Sequence, residues 1–286
     1  MDRLRIGSHG AVAEIVARQQ MLDEILADEF TFHFIPDGSL VQGSADVSVI
    51  ESGCDDIVLE YPFCRFGPGL SARDVVATAE YLLERARQER GIYALSSATA
   101  VKDGRGVVFF GGATNLGKTS CMLELVREGF SFFSDEKTLL DLERYRIIGG
   151  SRSVAARKRV LKDLLGTQEE FYALSHRSVC DAALLMYPHI DNGLAEPIQY
   201  RFNVDDLFWH LNREISIPIR GVTRLVKGFT HQLDSLDTKD LTKKRTALCR
   251  SFAAQVPCYY IQGSMAQIGA FVQRQLEYGT PGNPSS

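Results

Sequence analysis

Apolar residues recur along this chain in two periods, and the period changes often enough to predict alternating helices and strands. Val12, Ile15, Val16, Leu22, Ile25 and Leu26 fall at helical spacing and predict an amphipathic helix near the start. Residues 30–34 alternate apolar with polar, the pattern of a strand, ahead of the turn Pro36-Asp37-Gly38. Residues 47–50 and 57–61 read as further strands of a small sheet. Beyond Gly67-Pro68-Gly69, Ser71 with Asp74 three positions later is the capping signature of a helix over 72–89. Val75, Val76, Ala79, Leu82 and Leu83 supply its buried stripe, and Gly91 ends it.

A second run of elements begins there. A strand over 92–95 leads to the turn Lys102-Asp103-Gly104-Arg105-Gly106, which predicts a hairpin into the apolar run Val107-Val108-Phe109-Phe110. Cys121, Met122, Leu125 and Val126 share one helical face, Gly129 stops that helix, and 130–133 is a strand. Residues 145–148 read as a strand with Gly149-Gly150 as a break. Strands at 181–187 and 225–229, a helix over 243–255 with Leu248, Phe252 and Ala253 inward, a strand at 258–261 and a helix over 266–277 complete the pattern. This order predicts an α/β protein. It divides into an N-terminal α/β unit over 1–90, expected to shape acceptor access, a nucleotide-binding domain over 91–278, and a disordered tail over 279–286.

The chemistry is concentrated behind the second strand of the predicted hairpin. Gly112-Ala113-Thr114-Asn115-Leu116-Gly117-Lys118-Thr119, followed by Ser120, is a complete Gly-x4-Gly-Lys-Thr phosphate loop between an apolar strand and a helix. Backbone N–H groups and the helix N-terminus suit a polyphosphate, and the glycines let the main chain approach it without a Cβ in the way. Lys118 brings charge to the β- and γ-phosphates, and the Thr119 hydroxyl suits Mg²⁺. Asn115 stands where many such loops carry glycine and tolerates the left-handed region. The expected ligand is Mg·ATP or Mg·GTP.

Ser134-Asp135-Glu136 closes the next strand. Carboxylates at such a strand end serve a metal and an attacking hydroxyl, although the same pair also fits the start of a simple turn. Arg152, and the basic run Arg157-Lys158-Arg159 with Lys162, suit a transferring phosphate or serve as a solvated helix face; Arg152, after the glycine pair, is the preferred transition-state cation.

Composition excludes more than it names. A net charge of −4 with pI near 5.9 offers no general attraction to nucleic acid or to an anionic membrane. No apolar run approaches the ~20 residues of a membrane span, and the first residues lack the apolar core of a secretion signal, so a cytosolic protein is expected. Six scattered cysteines predict reduced structural thiols, and the six histidines show no metal spacing.

The order Leu95-Ser96-Ser97-Ala98, Asp103-Gly104-Arg105-Gly106, the loop Gly112 to Thr119, Arg127-Glu128-Gly129-Phe130 and Ser134-Asp135-Glu136 resembles the HPr kinase/phosphorylase-like family over about residues 90–265. The resemblance implies a P-loop kinase core of the phosphoenolpyruvate-carboxykinase-like type that transfers the γ-phosphoryl group of ATP to a hydroxyl. It makes Lys118 and Thr119 the phosphate lysine and metal hydroxyl. Asp135 becomes the base for the acceptor, and Glu136 stands in for the family's second aspartate. Asp135 and Glu136 join Thr119 as expected Mg²⁺ ligands. Ser96 replaces a family histidine tied to the reverse, phosphate-dependent reaction, so phosphorylase activity is not expected.

The sequence therefore predicts an ATP-dependent kinase acting on an alcohol of a small molecule or on a peptide or protein serine. The alternative is a nucleotide-sensing module that has lost transfer chemistry. Neither nucleic acid nor membrane is an expected partner, and a homo-oligomer is compatible with either reading.

Overall fold

In the computed structural model, the described residues are 1–53, 57–111, 116–154, 172–173, 179–221 and 233–278. They form a mixed α/β protein with two mixed sheets and seven helices among those residues.

The first sheet is built on a hairpin. β1 (Asp2–Ser8) pairs antiparallel with β2 (Ala11–Ala17) through the turn His9-Gly10, where both residues have positive φ. β2 corrects the expected helix over this stretch. Ala11, Ala13, Ile15 and Ala17 are fully buried while Val12 and Val16 are half-buried on the other face. Apolar residues on both faces of a strand imitate helical spacing. The helix begins later, as α1 (Gln19–Ala27), burying Met21, Leu22 and Ile25.

The expected strand at 30–34 is instead α2 (Phe30–Phe34). Its alternation has an inverted sense: the polar Thr31 and His33 are buried, and the phenylalanines are only partly covered. Phe30 and Phe34 stack at 4.8 Å, the contact that i,i+4 spacing on a helix allows. The Thr31 hydroxyl donates to the Ile25 carbonyl at 2.6 Å, so burying this polar residue leaves no unmet hydroxyl.

β3 (Ser39–Leu40), β4 (Val47–Glu51), β5 (Val58–Glu60) and β6 (Phe63–Phe66) complete the sheet in the order β3-β1-β2-β4-β6-β5. α3 (Ala72–Glu89) packs on β2 and β4. It starts as the sequence predicts, with a reciprocal capping box between Ser71 and Asp74. The core under α3 also takes Ile219, Leu233, Leu236 and Leu241 from the far end of the chain.

The second sheet has eight strands. β7 (Ile92–Lys102) and β8 (Arg105–Phe110) form the predicted hairpin, with β7 longer than expected. β9 (Ser131–Ser134) and β10 (Lys137–Asp141) both run antiparallel to β7, one after the other. β11 (Arg146–Gly150) pairs with β10. The short pair β12 (Ser153–Val154) and β13 (Tyr172–Ala173) stands apart. β14 (Cys180–Ile190) lies parallel to β8 and to β16 (Cys258–Gly263), and β15 (Ile198–Arg201) forms the far edge.

Helices cover both faces of this sheet. α4 (Lys118–Arg127) and α7 (Met265–Tyr278) enclose one core with Cys121, Met122, Leu125, Ile268 and Phe271. α5 (Val204–Ser216) and α6 (Lys239–Gln255) enclose the other with Leu207, Leu211, Cys249 and Phe252.

Gly149-Gly150 is not a break, because both residues pair within β11. A Cβ at Gly149 would lie 2.0 Å from Asp37 Oδ2, and one at Gly150 would lie 2.4 Å from Ser134 Cβ. The two glycines let neighbouring chain come close. The expected strand at 225–229 and the tail at 279–286 lie outside the described residues, and no helix among those residues is long and apolar enough to cross a membrane.

Candidate functional site

The parallel strands β8, β14 and β16 end at a common edge, where open α/β sheets bind their ligands. Beyond β8, Gly111 has φ +139°, and Gly117, the N-cap of α4, has φ +90°. These are backbone conformations that L side chains rarely adopt. The packing is equally restrictive at Gly117, where a Cβ would stand 2.2 Å from Ile190 Cδ1. Gly112, Ala113, Thr114 and Asn115 lie outside the described residues; Leu116, Gly117, Lys118, Thr119 and Ser120 are half-buried at the start of α4.

Lys118 and Thr119 emerge from the first turn of α4. Lys118 Nζ donates to the Gly111 carbonyl at 2.9 Å, so the lysine reaches back to the residue that follows β8. Thr119 Oγ1 donates to Asp135 Oδ1 at 2.8 Å. The loop helix and the acid pair, 16 residues apart in sequence, therefore meet directly.

Asp135 and Glu136 do not begin a reversing turn. The chain runs straight on along β7: Ser134 sits opposite Thr99, and Lys137 opposite Ser96. The pair is an interruption in that ladder, made by Glu136 at φ +65°. It is fixed by the backbone, with Ser97 N donating to Glu136 O at 3.1 Å and Asp135 N to Ser151 O at 3.3 Å. Beneath it the buried hydroxyls of Ser97, Thr99 and Ser134 all meet Thr138 Oγ1 at 2.7–2.8 Å. That network braces the acid pair on a rigid strand.

The two carboxylates are in different states. Burial pushes Asp135 up to about 7; the hydrogen bond from Thr119 opposes this, and the nearby charge of Glu136 adds to it. Glu136 is held below its usual range: burial would raise it, but the contact with His33 and the charges of Lys137 and Lys118 outweigh that. Burial lowers Lys118, and the charges of Glu214, Asp135 and Glu136 oppose the fall.

Arg152 stands close by in the chain, but its side chain is bound by Asp37. Its Nε donates to Asp37 Oδ1 at 2.6 Å, and Asp37 Oδ2 accepts from Gly150 N and meets His9 Nε2. Arg152 thus lines a cavity of about 440 Å³ against the β1–β2 turn, with Val12, Val41 and Ile148. Arg157, Lys158, Arg159 and Lys162 lie outside the described residues.

Two site residues escaped the sequence. Glu214 on α5 is buried and near enough to Lys118 for their charges to interact; burial raises its carboxyl, against the charges of Arg213, Lys118 and His210. His33 on α2 is 2% exposed, and its Nε2 lies 3.8 Å from Glu136 Oε2. Neither has a spacing signal, because each reaches the site from an element remote in the chain.

The donor set suits a hydrated Mg²⁺. Thr119 and Asp135 are already joined, and Asp135 Oδ2 is buried with no hydrogen-bond partner among the described residues. No group of three or more His, Cys, Asp or Glu among those residues could hold a metal by itself. A cation here would be completed by water and phosphate oxygens, which is how Mg²⁺ is usually held.

No protein-family model matches this sequence, and no curated protein matches it significantly.

Proposed function

We propose that this chain is an ATP-dependent kinase of the HPr kinase/phosphorylase-like type, moving the γ-phosphoryl group of ATP to a hydroxyl of a small molecule or of a peptide or protein serine. The observation that carries this reading is the 2.8 Å hydrogen bond from Thr119, in the phosphate-loop helix, to the buried Asp135. A phosphate-binding element and a carboxylate with the proton affinity of a base are thereby in contact.

The roles follow from the chemistry of each side chain. Lys118 releases the Gly111 carbonyl and binds the β- and γ-phosphates. Thr119, Glu136 and Asp135 would hold Mg²⁺, which when bound offsets the charge of the phosphates. Asp135 orients the acceptor hydroxyl and takes its proton as the new O–P bond forms and the bond between the γ-phosphorus and the β-phosphate oxygen breaks, leaving ADP. In the metal-free protein burial raises the proton affinity of Asp135, the direction that suits a group taking a proton. Arg152 reaches the transferring group only by exchanging its bond to Asp37.

The test is incubation of the protein and ATP with a metabolite and peptide extract, reading phosphate-mass gains. A product formed by the wild type and abolished in Asp135→Asn supports the kinase. Tight ATP binding without acceptor-dependent ADP release would replace it with a nucleotide sensor.

A further inference from the structure

The acid pair is gripped from outside its own sheet. Two consecutive residues of α2, His33 and Phe34, meet two consecutive residues of the interrupted strand, Glu136 and Lys137. His33 Nε2 lies 3.8 Å from Glu136 Oε2, and its Nδ1 is 2.8 Å from Ser153 Oγ, on the strand just past Arg152. Lys137 Nζ donates to the Phe34 carbonyl at 2.9 Å, lies over the Phe34 ring at 3.6 Å, and also reaches Glu80 on α3 at 3.2 Å.

Each end of this grip has a physical rationale. Glu136 is a non-glycine residue in the left-handed region, a conformation that persists only where surrounding contacts hold it. Its side chain is half exposed, so the backbone contacts alone leave the carboxylate free to swing. His33 is the reverse: almost wholly buried, with its ring plane set by Ser153. A buried histidine costs desolvation and earns its place only through its contacts. It presents a fixed nitrogen to a movable carboxylate. The Ser153 contact fixes which way that nitrogen points, in the manner of partners that orient metal-binding side chains.

We propose that His33 is a positioning residue: it holds the Glu136 carboxylate beside the Thr119–Asp135 contact, so that the N-terminal unit supplies part of the phosphotransfer site itself. The inference rests on the kinase reading above.

The experiment compares His33→Ala, His33→Gln and Ser153→Ala with the wild-type full-length chain. Three quantities are measured: binding of a non-hydrolysable ATP analogue, affinity for Mn²⁺ in its presence, and kcat and KM for the acceptor found in the extract. The expected result for His33→Ala is a 10–100-fold loss in Mn²⁺ affinity and a loss of similar size in kcat, on the order of what removing such a partner costs. KM for the acceptor stays close to wild type, while the melting temperature falls because truncating a buried ring leaves a cavity. Glutamine places an amide nitrogen near the position of Nε2, so His33→Gln recovers a large part of both losses. Ser153→Ala falls between. Wild-type Mn²⁺ affinity and kcat in His33→Ala overturn the proposal while leaving the kinase intact, and so does a loss that glutamine does not relieve. Should His33→Ala fail to fold, Ser153→Ala and His33→Gln decide the question by the same measures. If the wild type binds no nucleotide, the kinase reading itself fails and this inference with it.

Discussion

Asp135→Asn separates stability from activity in a way that tests the electrostatics of the site. The carboxyl has an ordinary value of 3.8 and is pushed up to about 7 in the folded protein. Between those values the folded state holds a proton that the unfolded state has released. Folding stability therefore falls as pH rises through that window, and above about pH 7 the full penalty is present. At about 1.4 kcal/mol per pH unit the window corresponds to roughly 4 kcal/mol. Local relaxation and water entry reduce this, so roughly 2–4 kcal/mol is expected. Asparagine keeps the shape and still accepts from Thr119, but it never ionises. The metal-free variant should melt roughly 5–15 °C above wild type at pH 8, at about 2–4 °C per kcal/mol for a chain of this size, with no gain at pH 3.5. Thermal unfolding in a chelator across pH 3.5–8.5 measures it, since a bound cation would favour the ionised form. Equal stability of the two proteins at pH 8, or a gain independent of pH, refutes the assignment of Asp135 as a carboxyl strained by burial.

Other changes probe separate parts of the argument. If the chain is the proposed kinase, Lys118→Ala should lower phosphoryl transfer by at least about a hundredfold, since it removes the charge assigned to the phosphates; steady-state kinetics with calorimetric ATP binding measure both consequences. Gly117→Ala adds a Cβ 2.2 Å from Ile190 at a backbone φ of +90°, so a loss of about 1–3 kcal/mol by urea unfolding is expected, with weaker nucleotide binding. Arg87→Met leaves Glu80 and Glu84 buried without the guanidinium that now bonds both at 2.6–3.2 Å; a loss of about 3–5 kcal/mol in the same assay is expected. Ser71→Ala breaks the α3 capping box and should cost about 1 kcal/mol, without changing ATP affinity.

What the sequence made legible was local. The capping box of α3, the β7–β8 hairpin and the α4 stripe each declare themselves within a few residues, and all three stand in the structure. The Gly112 to Thr119 motif is contiguous, so the expectation of a phosphate loop needs no tertiary information. The failures come from tertiary context. In β2, valines on the half-buried face completed a false helical period, and in α2 the buried side belongs to Thr31 and His33, which hydropathy alone assigns to solvent. Gly149 and Gly150 read as a break because nothing in their neighbourhood reveals Asp37 or Ser134 lying against them. Residues 137–141 carry no strand signal distinct from the preceding run, so only the pairing of β10 with β7 reveals that the chain continues past Asp135-Glu136 instead of turning back.

That continuation bears on what kind of site this is. An acid pair on a surface turn would be solvated, and both carboxyls would titrate in the ordinary range. Here Ser97 and Ser151 fix the backbone of the pair, Thr119 bonds Asp135 from α4, His33 meets Glu136 from α2, and Glu214 approaches Lys118 from α5. The difference between the two carboxyls is a product of that enclosure: Asp135 is inside it, whereas Glu136 reaches out to cations that favour its charge. Two acids whose environments move them in opposite directions can divide the labour of holding charge and taking a proton. In this protein the opposite shifts depend on side chains brought together from α2, α4 and the strand itself, so the proton affinity of Asp135 belongs to the assembled fold and not to the motif that contains it.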